Sequence, residues 1–355
     1  MKYSDVGIDV KKIKSIQNLI GKSISSTHGL PLLGKVVSGF GHYAGVIELG
    51  NNLMTLHTDG VGSKIIIAQF MNKYDTVGID CIAMNVNDTI CVGATPVGFL
   101  SYIALQKTND HLLNDITKGL VKGAKLSKMA IVGGETAILP DIISGSQDGC
   151  NFDLAGMTLG ILKDKKKLKL GNRIKPGDII IGLESSGLHS NGYTLARRIL
   201  LEKYKLDDTP AFLHDRVGNE LLKPTAIYTQ PVLQILESYD SEIHGLAHIT
   251  GGGFTKLKRL NPKVDYVLDK MPPVSGIFKQ MQVDGNVTFE EMYRTFNMGI
   301  GFCLVVSKNI TNEVIKMLTK KKKSKAQIIG SIKRNGTGET FVKTEDMIDQ
   351  DPVKL

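Results

Sequence analysis

The stretch HTDGVGSK, residues 57–64, joins an acidic side chain, two glycines and a lysine at the end of an apolar segment. Asp59 follows the apolar residues, Gly60 and Gly62 surround it, and Lys64 comes next. Glycines let a phosphate approach the backbone closely, and a lysine supplies a point charge. The GxxxxGK(S/T) spacing is missing, so the stretch is not a Walker A motif, and by itself a hairpin turn explains it better.

Residues 78–96, GIDCIAMNVNDTICVGATP, combine an apolar helical pattern with Asp80, Asn87 and Asp88. Asp80 and Asn87 are seven residues apart and share a helix face, and Asp88 lies roughly 80° round from Asp80. Carboxylates on an apolar helix cost free energy unless something neutralises them. They either cap or pair locally, or they bind a metal such as Mg²⁺, which prefers oxygen ligands and shares them with substrate phosphates.

Residues 131–142, IVGGETAILPDI, place another acidic side chain after a predicted strand. The strand leads into Gly133 and Gly134, and Glu135 follows. A turn with a helix-capping glutamate would produce this pattern. Alternatively, Glu135 is a further carboxylate that faces the same site.

The stretch SSGLHSNGY, residues 185–193, follows a predicted buried strand and precedes a helical pattern. Backbone N–H groups at such a helix start bind anions well, so Ser186 and Asn191 are candidates for ligand binding. His189 could transfer protons near neutral pH. The alternative is a surface histidine in a capping turn.

Two further stretches could bind phosphate. The first, HITGGGF at 248–254, contains three successive glycines, among them Gly251 and Gly252, and such a backbone-rich loop suits phosphate. In the second, MYRTFNMGIGF at 292–302, Arg294 could bind a phosphate bidentately. A tight turn and an exposed surface arginine are the respective alternatives.

Hydrophobic periodicity predicts the elements that must position these residues. Before residue 163 it predicts strands at 53–58, 97–105, 129–134 and 153–162, and helices at about 76–92 and 110–127. After residue 177 it predicts strands at 178–185, 265–269, 299–306 and 326–332, and helices at about 191–204, 223–238 and 309–320. The charged segment between them is typical of a linker. We therefore predict two α+β or α/β domains, at 1–165 and 175–355.

Composition excludes several classes of protein. The chain has 355 residues, of which 42% are hydrophobic and 22% charged, as in ordinary soluble globular proteins. No apolar run reaches the roughly 18 residues of a membrane span, and we expect no secretory signal at the N-terminus. Four cysteines without paired spacing predict neither a disulfide framework nor a zinc site and favour the reducing cytoplasm.

The net charge of +9 raises the question of nucleic-acid binding. Two lysine runs, at 165–169 and 320–325, hold nine lysines, as many as the net excess. Neither run interleaves aromatic residues and tryptophan is absent, so a base-stacking platform is poorly supported. We interpret the runs as solvated surface and expect no nucleic-acid partner. Loss of salt-sensitive DNA or RNA binding on deletion of 320–325 would reverse this interpretation.

Taken together, these stretches resemble the phosphoribosylformylglycinamidine cyclo-ligase family, the aminoimidazole ribonucleotide synthetases. The resemblance begins at YSDVGIDV, residues 3–10, continues through TDGVGSK, VGGETA, SSGLHSNGY, HITGGGF and MYRTFNMGIG, and reaches IIGSI near the end of the chain. Asp88, Gly93, Ala94 and Pro96 match the D-x-x-x-x-G-A-x-P pattern of the wider ATP-binding superfamily.

The resemblance implies a homodimer in which the N-terminal domains pair their sheets into a shared barrel, with a C-terminal α/β domain beside each. ATP and substrate would lie in the cleft between the domains. The implied reaction is ATP-dependent ring closure of formylglycinamidine ribonucleotide to aminoimidazole ribonucleotide, through a phosphorylated amide oxygen. ADP and phosphate would be released, and no membrane would be involved.

The resemblance also implies roles for the candidate residues. His189 would transfer protons, Lys64 would contact ATP phosphate during catalysis, and Asp59 and Asp88, with Asp80 and Glu135 as further candidates, would bind Mg²⁺. The residues implied to bind ATP and its metal are Asp59, Gly60, Gly62, Lys64, Asp80, Asn87, Asp88, Gly133, Gly134 and Glu135. Those implied to bind substrate are Ser186, His189, Asn191, Gly251, Gly252 and Arg294.

The chain departs from the family pattern in three places. The glycine-rich segment at 31–42 keeps only Gly34, Gly39 and Gly41, Ser63 replaces a threonine, and LPDII follows GGET. Selenophosphate synthetase and thiamine phosphate kinase are alternative superfamily members, although the chain has no cysteine before Cys81 to serve the former. A catalytically inactive regulatory paralogue is a third alternative, against which the retained acidic residues argue.

Overall fold

The computed structural model describes residues 3–7, 10–30, 33–274, 276–320, 325–334, 336–344, 347 and 351–355. The first half builds a six-stranded sheet in the order β1-β2-β3-β6-β4-β5, antiparallel except for the parallel pair β4 and β5. Its elements are α1 Val10–Ser25, β1 Lys35–Val36, β2 Gly45–Leu49, β3 Asn52–Gly60, α2 Ile65–Phe70, α3 Asp75–Cys91, β4 Thr95–Leu105, α4 Asp110–Ser127, β5 Ala130–Ile138 and β6 Phe152–Leu162.

The second half builds a seven-stranded sheet in the order β13-β12-β9-β11-β7-β10-β8, in which β12 and β9 form the parallel pair. Its elements are β7 Ile179–Glu184, α5 Tyr193–Leu201, α6 Val217–Leu221, α7 Thr229–Tyr239, β8 Ile243–His248, β9 Asp265–Leu268, α8 Gly276–Asp284, α9 Phe289–Thr295, β10 Ile300–Val306, α10 Thr311–Thr319, β11 Ala326–Lys333, β12 Thr340–Val342 and β13 Val353–Lys354. The prediction of two halves that each combine a sheet with helices is confirmed.

Three predicted elements differ from the structure. Strand β5 does not end at Gly134 but continues to Ile138, because it pairs with β4 along its whole length. The helix predicted from residue 223 begins only at Thr229, because the backbone of Thr225 and Tyr228 donates to side chains of α3. Strand β8, IHGLAH, has no alternating apolar pattern because it is buried along its whole length, and the sequence did not predict it.

Helix α3 lies at the centre of the molecule. Every residue from Thr76 to Cys91 is buried, against α4, strands β3 and β6, and elements β8 and α7 of the second half. A helix buried on all sides is apolar on all sides, apart from the polar groups that find partners. The three polar candidates on α3 are therefore positioned by the packing of the whole chain.

The segment between the halves is tied down by charge. Lys169 is buried and its ammonium bonds the carbonyl and the carboxylate of Asp240, while Lys165 pairs with Glu48. In the second lysine run, residues 321–324 lie outside the described residues, and Lys325 pairs with Glu184. Lys169 thus corrects the interpretation of the first run as solvated surface. Among the described helices, none is long and apolar enough to cross a membrane.

The contact between α3 and α4 predicts the effect of one substitution. A Cβ atom at Gly119 would collide with the carbonyl oxygen of Asp75 and with Gly78. We expect Gly119→Ala to lower the free energy of unfolding by about 1–3 kcal/mol through overpacking, measured by urea denaturation. Gly29→Ala, where nothing lies within 4 Å, is the control. A stabilised Gly119→Ala variant, the usual result for alanine in a helix, would contradict the contact.

Candidate active site

Asp59 and Asp88 come together from two elements. Asp59 lies near the end of β3, and the side chain of Asn85 on α3 holds its backbone, accepting from Asp59 N at 3.0 Å and donating to Asp59 O at 3.1 Å. Asp88 follows Asn85 by three residues, so it lies on the same side of α3. Burial and the charge of Asp88 both raise the pKa of Asp59. The two carboxylates therefore share one site.

Histidines flank Asp88 on both sides. His248 Nδ1 lies 2.7 Å from Asp88 Oδ1, and His57 Nε2 lies 3.7 Å from Oδ2. Asn87 Nδ2 lies 3.3 Å from His248 Nε2, and its orientation is set by its backbone partners, Ala226 O and Tyr228 N. Since Asn87 donates to Nε2, the proton of neutral His248 is on Nδ1 and is donated to Asp88.

Lys256 adds a positive charge to this site. It is buried, its ammonium donates to Thr250 Oγ1, and it lies 5.8 Å from the ring centre of buried Tyr43. Burial alone would raise the pKa of Asp88, but the charge of Lys256 and the hydrogen bond from His248 hold it below the ordinary carboxyl range. The acidic pair is thus partly neutralised from the second half of the chain.

Lys64 and Asp80 form a separate, fully buried ion pair. Lys64 Nζ lies 3.0 and 2.8 Å from the two Asp80 oxygens and donates to Lys223 O at 2.5 Å. Lys64 thus makes two hydrogen bonds, to Asp80 Oδ1 and Lys223 O, while Asp80 Oδ2 is in ion-pair contact but accepts no hydrogen bond from the described residues. Asp80 Oδ1 also accepts from Thr225 N at 2.7 Å and from Ser190 Oγ at 3.1 Å. Lys64 and Asp80 neutralise each other and bond the loop at 223–225, which favours a structural role, and their binding of phosphate and metal stays a prediction.

Glu135 lies on the other face of the sheet. Paired residues point to the same side, and Gly60, Ala155, Tyr102 and Glu135 form one row across β3, β6, β4 and β5. Asp59, one residue before Gly60, points to the opposite side. Three strand spacings separate the ends of the row, roughly 14 Å. Glu135 therefore does not face Asp59 within one chain, and its role in metal binding stays a prediction.

Gly133 and Gly134 lie within exposed β5 rather than in a loop, and their contact with ATP stays a prediction. At the mouth of β3, Gly60 N donates to Asp59 Oδ1 at 2.8 Å. Gly62 has a φ of +69° and starts the turn into α2, whose neighbour Ser63 contacts Thr194 of α5 at 3.1 Å. The turn of the first motif thus packs against the second half.

His189 is buried in the loop after β7, with a φ of +64°. Its Nε2 accepts from Ser186 N at 3.2 Å and from Ala226 N at 3.5 Å, so the proton of the neutral ring is on Nδ1. Burial lowers the pKa of His189 well below its ordinary value. Its ring centre lies 6.4 Å from that of His248. Proton transfer by His189 is therefore restricted to Nδ1.

The predicted substrate residues lie in different places. A Cβ atom at Gly251 would come within 2.6 Å of Asn191 Oδ1, so these two are neighbours, and the turn continues through Gly252 with a φ of +91°. Ser186 Oγ donates to Pro224 O at 2.6 Å. Arg294 pairs with Glu290 of its own helix at 2.7 Å and is 39% exposed, which fits the surface alternative better than a phosphate clamp.

A cavity of about 590 Å³ opens in the second half of the chain. Ser185, Ser186, Gly187 and Lys223 line it together with apolar residues such as Phe278. Neither Asp59 nor Asp88 borders it. The backbone of the lining residues reaches the interior, because Ser186 N bonds His189 and Lys223 O bonds Lys64.

Asp59 and Asp88 offer carboxylate oxygens, and the turn at 251–253 offers backbone N–H groups. Together these groups suit a nucleotide with its metal. Among the described residues no three His, Cys, Asp or Glu side chains form a metal-binding group. Mg²⁺ needs no such group when it arrives with a phosphate substrate, since one or two carboxylates then suffice. The raised pKa of Asp59 beside Asp88 is the signature of a carboxylate pair that a cation would relieve.

Comparison with known proteins identifies the family. Residues 41–162 match the model described as AIR synthase related protein, N-terminal domain, and residues 175–343 match the corresponding C-terminal domain. The phosphoribosylformylglycinamidine cyclo-ligase of Methanocaldococcus jannaschii is 47% identical over 356 residues, covering 97% of each chain. That of Methanothermobacter thermautotrophicus is 43% identical over 351 residues, covering 96% of this chain and 98% of the other.

The chain belongs to the phosphoribosylformylglycinamidine cyclo-ligase family. The resemblance read from the sequence is confirmed, and with it an ATP-utilising enzyme family of purine biosynthesis. In fold, the chain is similar to AaThiL complexed with AMPPCP and TMP, with a TM-score of 0.62, 16% identity and 98% of both chains covered. It is also similar to the hydrogenase maturation protein HypE in complex with ATP, with a TM-score of 0.60, 17% identity and 82% of both chains covered.

Sequence reasoning missed three residues of this cyclo-ligase site, namely His57, His248 and Lys256. Two of them belong to motifs that the sequence analysis discussed, since His57 is the first residue of the first motif and His248 is the first residue of the triple-glycine motif. A titratable residue beside a glycine turn was the available signal. Lys256 lies beyond the motif, and no local pattern distinguishes it from its neighbour Lys258.

The buried ion pair predicts a large effect on stability. Lys64→Met leaves the Asp80 carboxylate buried without its ammonium, and we expect a loss of about 3–5 kcal/mol in the free energy of unfolding. The measurement is urea denaturation followed by circular dichroism. Lys73→Met, which removes an exposed pair with Asp75, should change stability by less than about 0.5 kcal/mol. An unchanged unfolding midpoint in Lys64→Met would contradict the structural role.

Proposed function

We propose that the protein closes the imidazole ring of aminoimidazole ribonucleotide from formylglycinamidine ribonucleotide at the expense of ATP. The observation that carries this proposal is the meeting of Asp59 and Asp88 beside the triple-glycine turn and Lys256. Two carboxylates supply oxygen ligands, the turn supplies N–H groups, and the lysine supplies a positive charge. This is the donor set that a metal-bound triphosphate requires.

The reaction proceeds in two steps. In the first, the formyl amide oxygen attacks the γ-phosphorus of ATP, the bond to the β-phosphate oxygen breaks, and ADP leaves. In the second, the amidine nitrogen attacks the activated carbon, the carbon–oxygen bond breaks, and phosphate leaves with that oxygen. The formamide nitrogen loses its proton when the oxygen is phosphorylated, and the attacking nitrogen loses its proton on ring closure; one of these protons goes to the released phosphate and the other to solvent or a base. A proton shift from the ring CH₂ to the imine nitrogen then gives the aminoimidazole. Holding amidine and amide in one geometry supplies the proximity that the second step needs.

We assign the metal to Asp59 and Asp88 only. Mg²⁺ would neutralise charge on the transferred phosphoryl group. Asn85 positions Asp59 through the backbone, and His248 and Asn87 fix the orientation of Asp88. Lys64 and Asp80 position α3 and the loop at 223–225 instead of contacting ATP. Proton transfer by His189 at Nδ1 is retained as a proposal.

Asn191 and the turn at 251–253 are proposed to contact substrate, since they adjoin each other and the turn follows His248, which bonds Asp88. Ser186 borders the 590 Å³ cavity, a volume typical of small-molecule sites, and we propose that cavity as part of the substrate path. HypE has been solved in complex with ATP and AaThiL in complex with AMPPCP, which supports a nucleotide on this fold. The four free thiols suit the cytoplasm.

We propose a homodimer that joins the outer faces of two six-stranded sheets. Helix α3 packs against the inner face, whereas Leu56, Leu100 and Tyr102 on the outer face are 39, 38 and 41% exposed. Glu135 lies on that face in the row of Tyr102, so we place it at the interface rather than at the metal. Large exposed apolar faces on soluble proteins mark association surfaces.

The acidic pair is tested by Asp88→Asn. We expect at least a thousandfold loss of aminoimidazole ribonucleotide formation from formylglycinamidine ribonucleotide and Mg-ATP, because the amide removes one metal-binding charge (on the order of 10²–10³ for a single lost electrostatic contact, and more when a metal is lost). The measurement is product formation, with circular dichroism to verify folding. Asp75→Asn, at the exposed start of the same helix, is the control. Full activity in Asp88→Asn would remove the metal assignment.

The dimer is tested by Leu100→Glu. A carboxylate at the centre of the proposed interface should separate the protomers, so light scattering after gel filtration should show half the wild-type mass. Val121→Glu, at a residue 40% exposed on α4 in the other layer, should keep the wild-type mass. A wild-type protein of monomer mass would refute the dimer.

A further inference from the structure

Lys256 differs from the other buried lysines of the described chain. Lys64 has Asp80 and a carbonyl as partners, and Lys169 has Asp240. Lys256 is also buried, but none of the ion pairs in the described part of the chain includes it, and its one hydrogen bond goes to Thr250 Oγ1. An ammonium can donate three hydrogen bonds, so two donors of Lys256 have no hydrogen-bond acceptor among the described residues.

Other unfilled polar atoms surround this ammonium. The Tyr43 hydroxyl is buried and has no hydrogen-bond partner among the described residues, and its ring lies 5.8 Å from Lys256 Nζ. His57 Nε2 is likewise buried without a hydrogen bond, 3.7 Å from Asp88 Oδ2. Buried polar groups are normally satisfied, so unfilled ones gathered at one place point to a ligand. Since an ammonium donates only, the ligand must offer acceptors.

Charge balance specifies the ligand further. Asp59 and Asp88 would repel a phosphate that approached them without a cation between. Lys256 lies in the electrostatic field of both carboxylates, and it follows the turn at 251–253 by three residues. A phosphate bonded to this ammonium could therefore stand beside the acidic pair and share a metal with it.

We infer that Lys256, rather than Lys64, is the residue that binds the polyphosphate of the nucleotide. This inference rests on the proposed function, because it names the phosphate contact of the same site. Tyr43 covers Lys256 in this structure and directly follows the segment at 31–42, which retains few of the family's glycines. The phosphate would thus take the place of the Tyr43 ring over the ammonium.

The experiment is titration calorimetry with sodium tripolyphosphate at one saturating Mg²⁺ concentration for every protein, so that the cation screens the acidic pair equally in the wild type and the variants. We expect Lys256→Met to weaken tripolyphosphate binding by about 10- to 100-fold, the effect of a lost charge-assisted hydrogen bond. Lys256→Arg should recover most of the affinity, since it keeps the charge. The matched control is Lys258→Met, two residues on, which loses a partly buried pair with Glu339 and a hydrogen bond to Leu355 O. Should Lys256→Met not fold, Lys256→Gln replaces it.

The outcomes separate this inference from its alternative. If Lys256 serves only as a structural counter-ion for Asp88, Lys256→Met lowers the melting temperature but binds tripolyphosphate as the wild type does, and the inference fails. It also fails if wild-type protein binds no tripolyphosphate. If binding depends on Lys256 but the wild type forms no aminoimidazole ribonucleotide, the phosphate site stands and the proposed function fails.

Discussion

A carboxylate in the middle of a protein must be neutralised within the protein, and this constraint organises the whole chain. Helix α3 carries Asp80 at a position without solvent contact, so an ammonium, two hydroxyls and a backbone N–H converge on it. The ammonium comes from the first half, and the other donors come from the second. The first half alone would pair Asp80 with Lys64 but would lack the two hydroxyls and the N–H that complete the hydrogen bonding of the carboxylate.

The two halves also contribute different groups to the candidate active site. The first half contributes the acids Asp59 and Asp88, and the second half contributes His248 and Lys256, which compensate them. Asn87 connects the site of Asp88 to the loop at 223–228, because its amide bonds both His248 and the backbone at 226–228. The orientation of His248 against Asp88 therefore depends on the position of the same loop, which also supplies hydrogen-bond donors to Asp80.

Elements with a clear period could be predicted from sequence, and those shaped by tertiary contacts could not. Helix α4, Asp110–Ser127, was predicted at its observed bounds, because one face packs and the other is solvated. The helix expected from residue 223 was shortened because its first residues donate to α3. Strand β8 was not predicted because it is buried throughout and lacks an alternation of apolar and polar residues.

The candidate site divides in the same way. Asp59, Asp88, Asn191 and Gly251 were predicted from their motifs, and the structure places Asp59 near Asp88 and Asn191 beside Gly251, while their roles stay predictions. Lys64 and Lys256 could not be told apart by residue type, since both are lysines after glycine turns. Their partners decide the matter, and those partners lie 16 to 159 positions away for Lys64. A local pattern carries no information about contacts at that separation.

The backbone bonds that α3 makes with the loop at 223–228 have a consequence for how this architecture can evolve. Those bonds join the side chains of Asp80 and Asn87 to main-chain atoms of the loop, so they depend on the course of the loop rather than on its side chains. Neither half can consequently be exchanged for the corresponding half of another family member, although a separate family model describes each half. A chimaera that joined one half to the corresponding half of a distant relative would have mismatched hydrogen bonds between the halves. Substitutions on the two sides of this contact must therefore occur together during evolution.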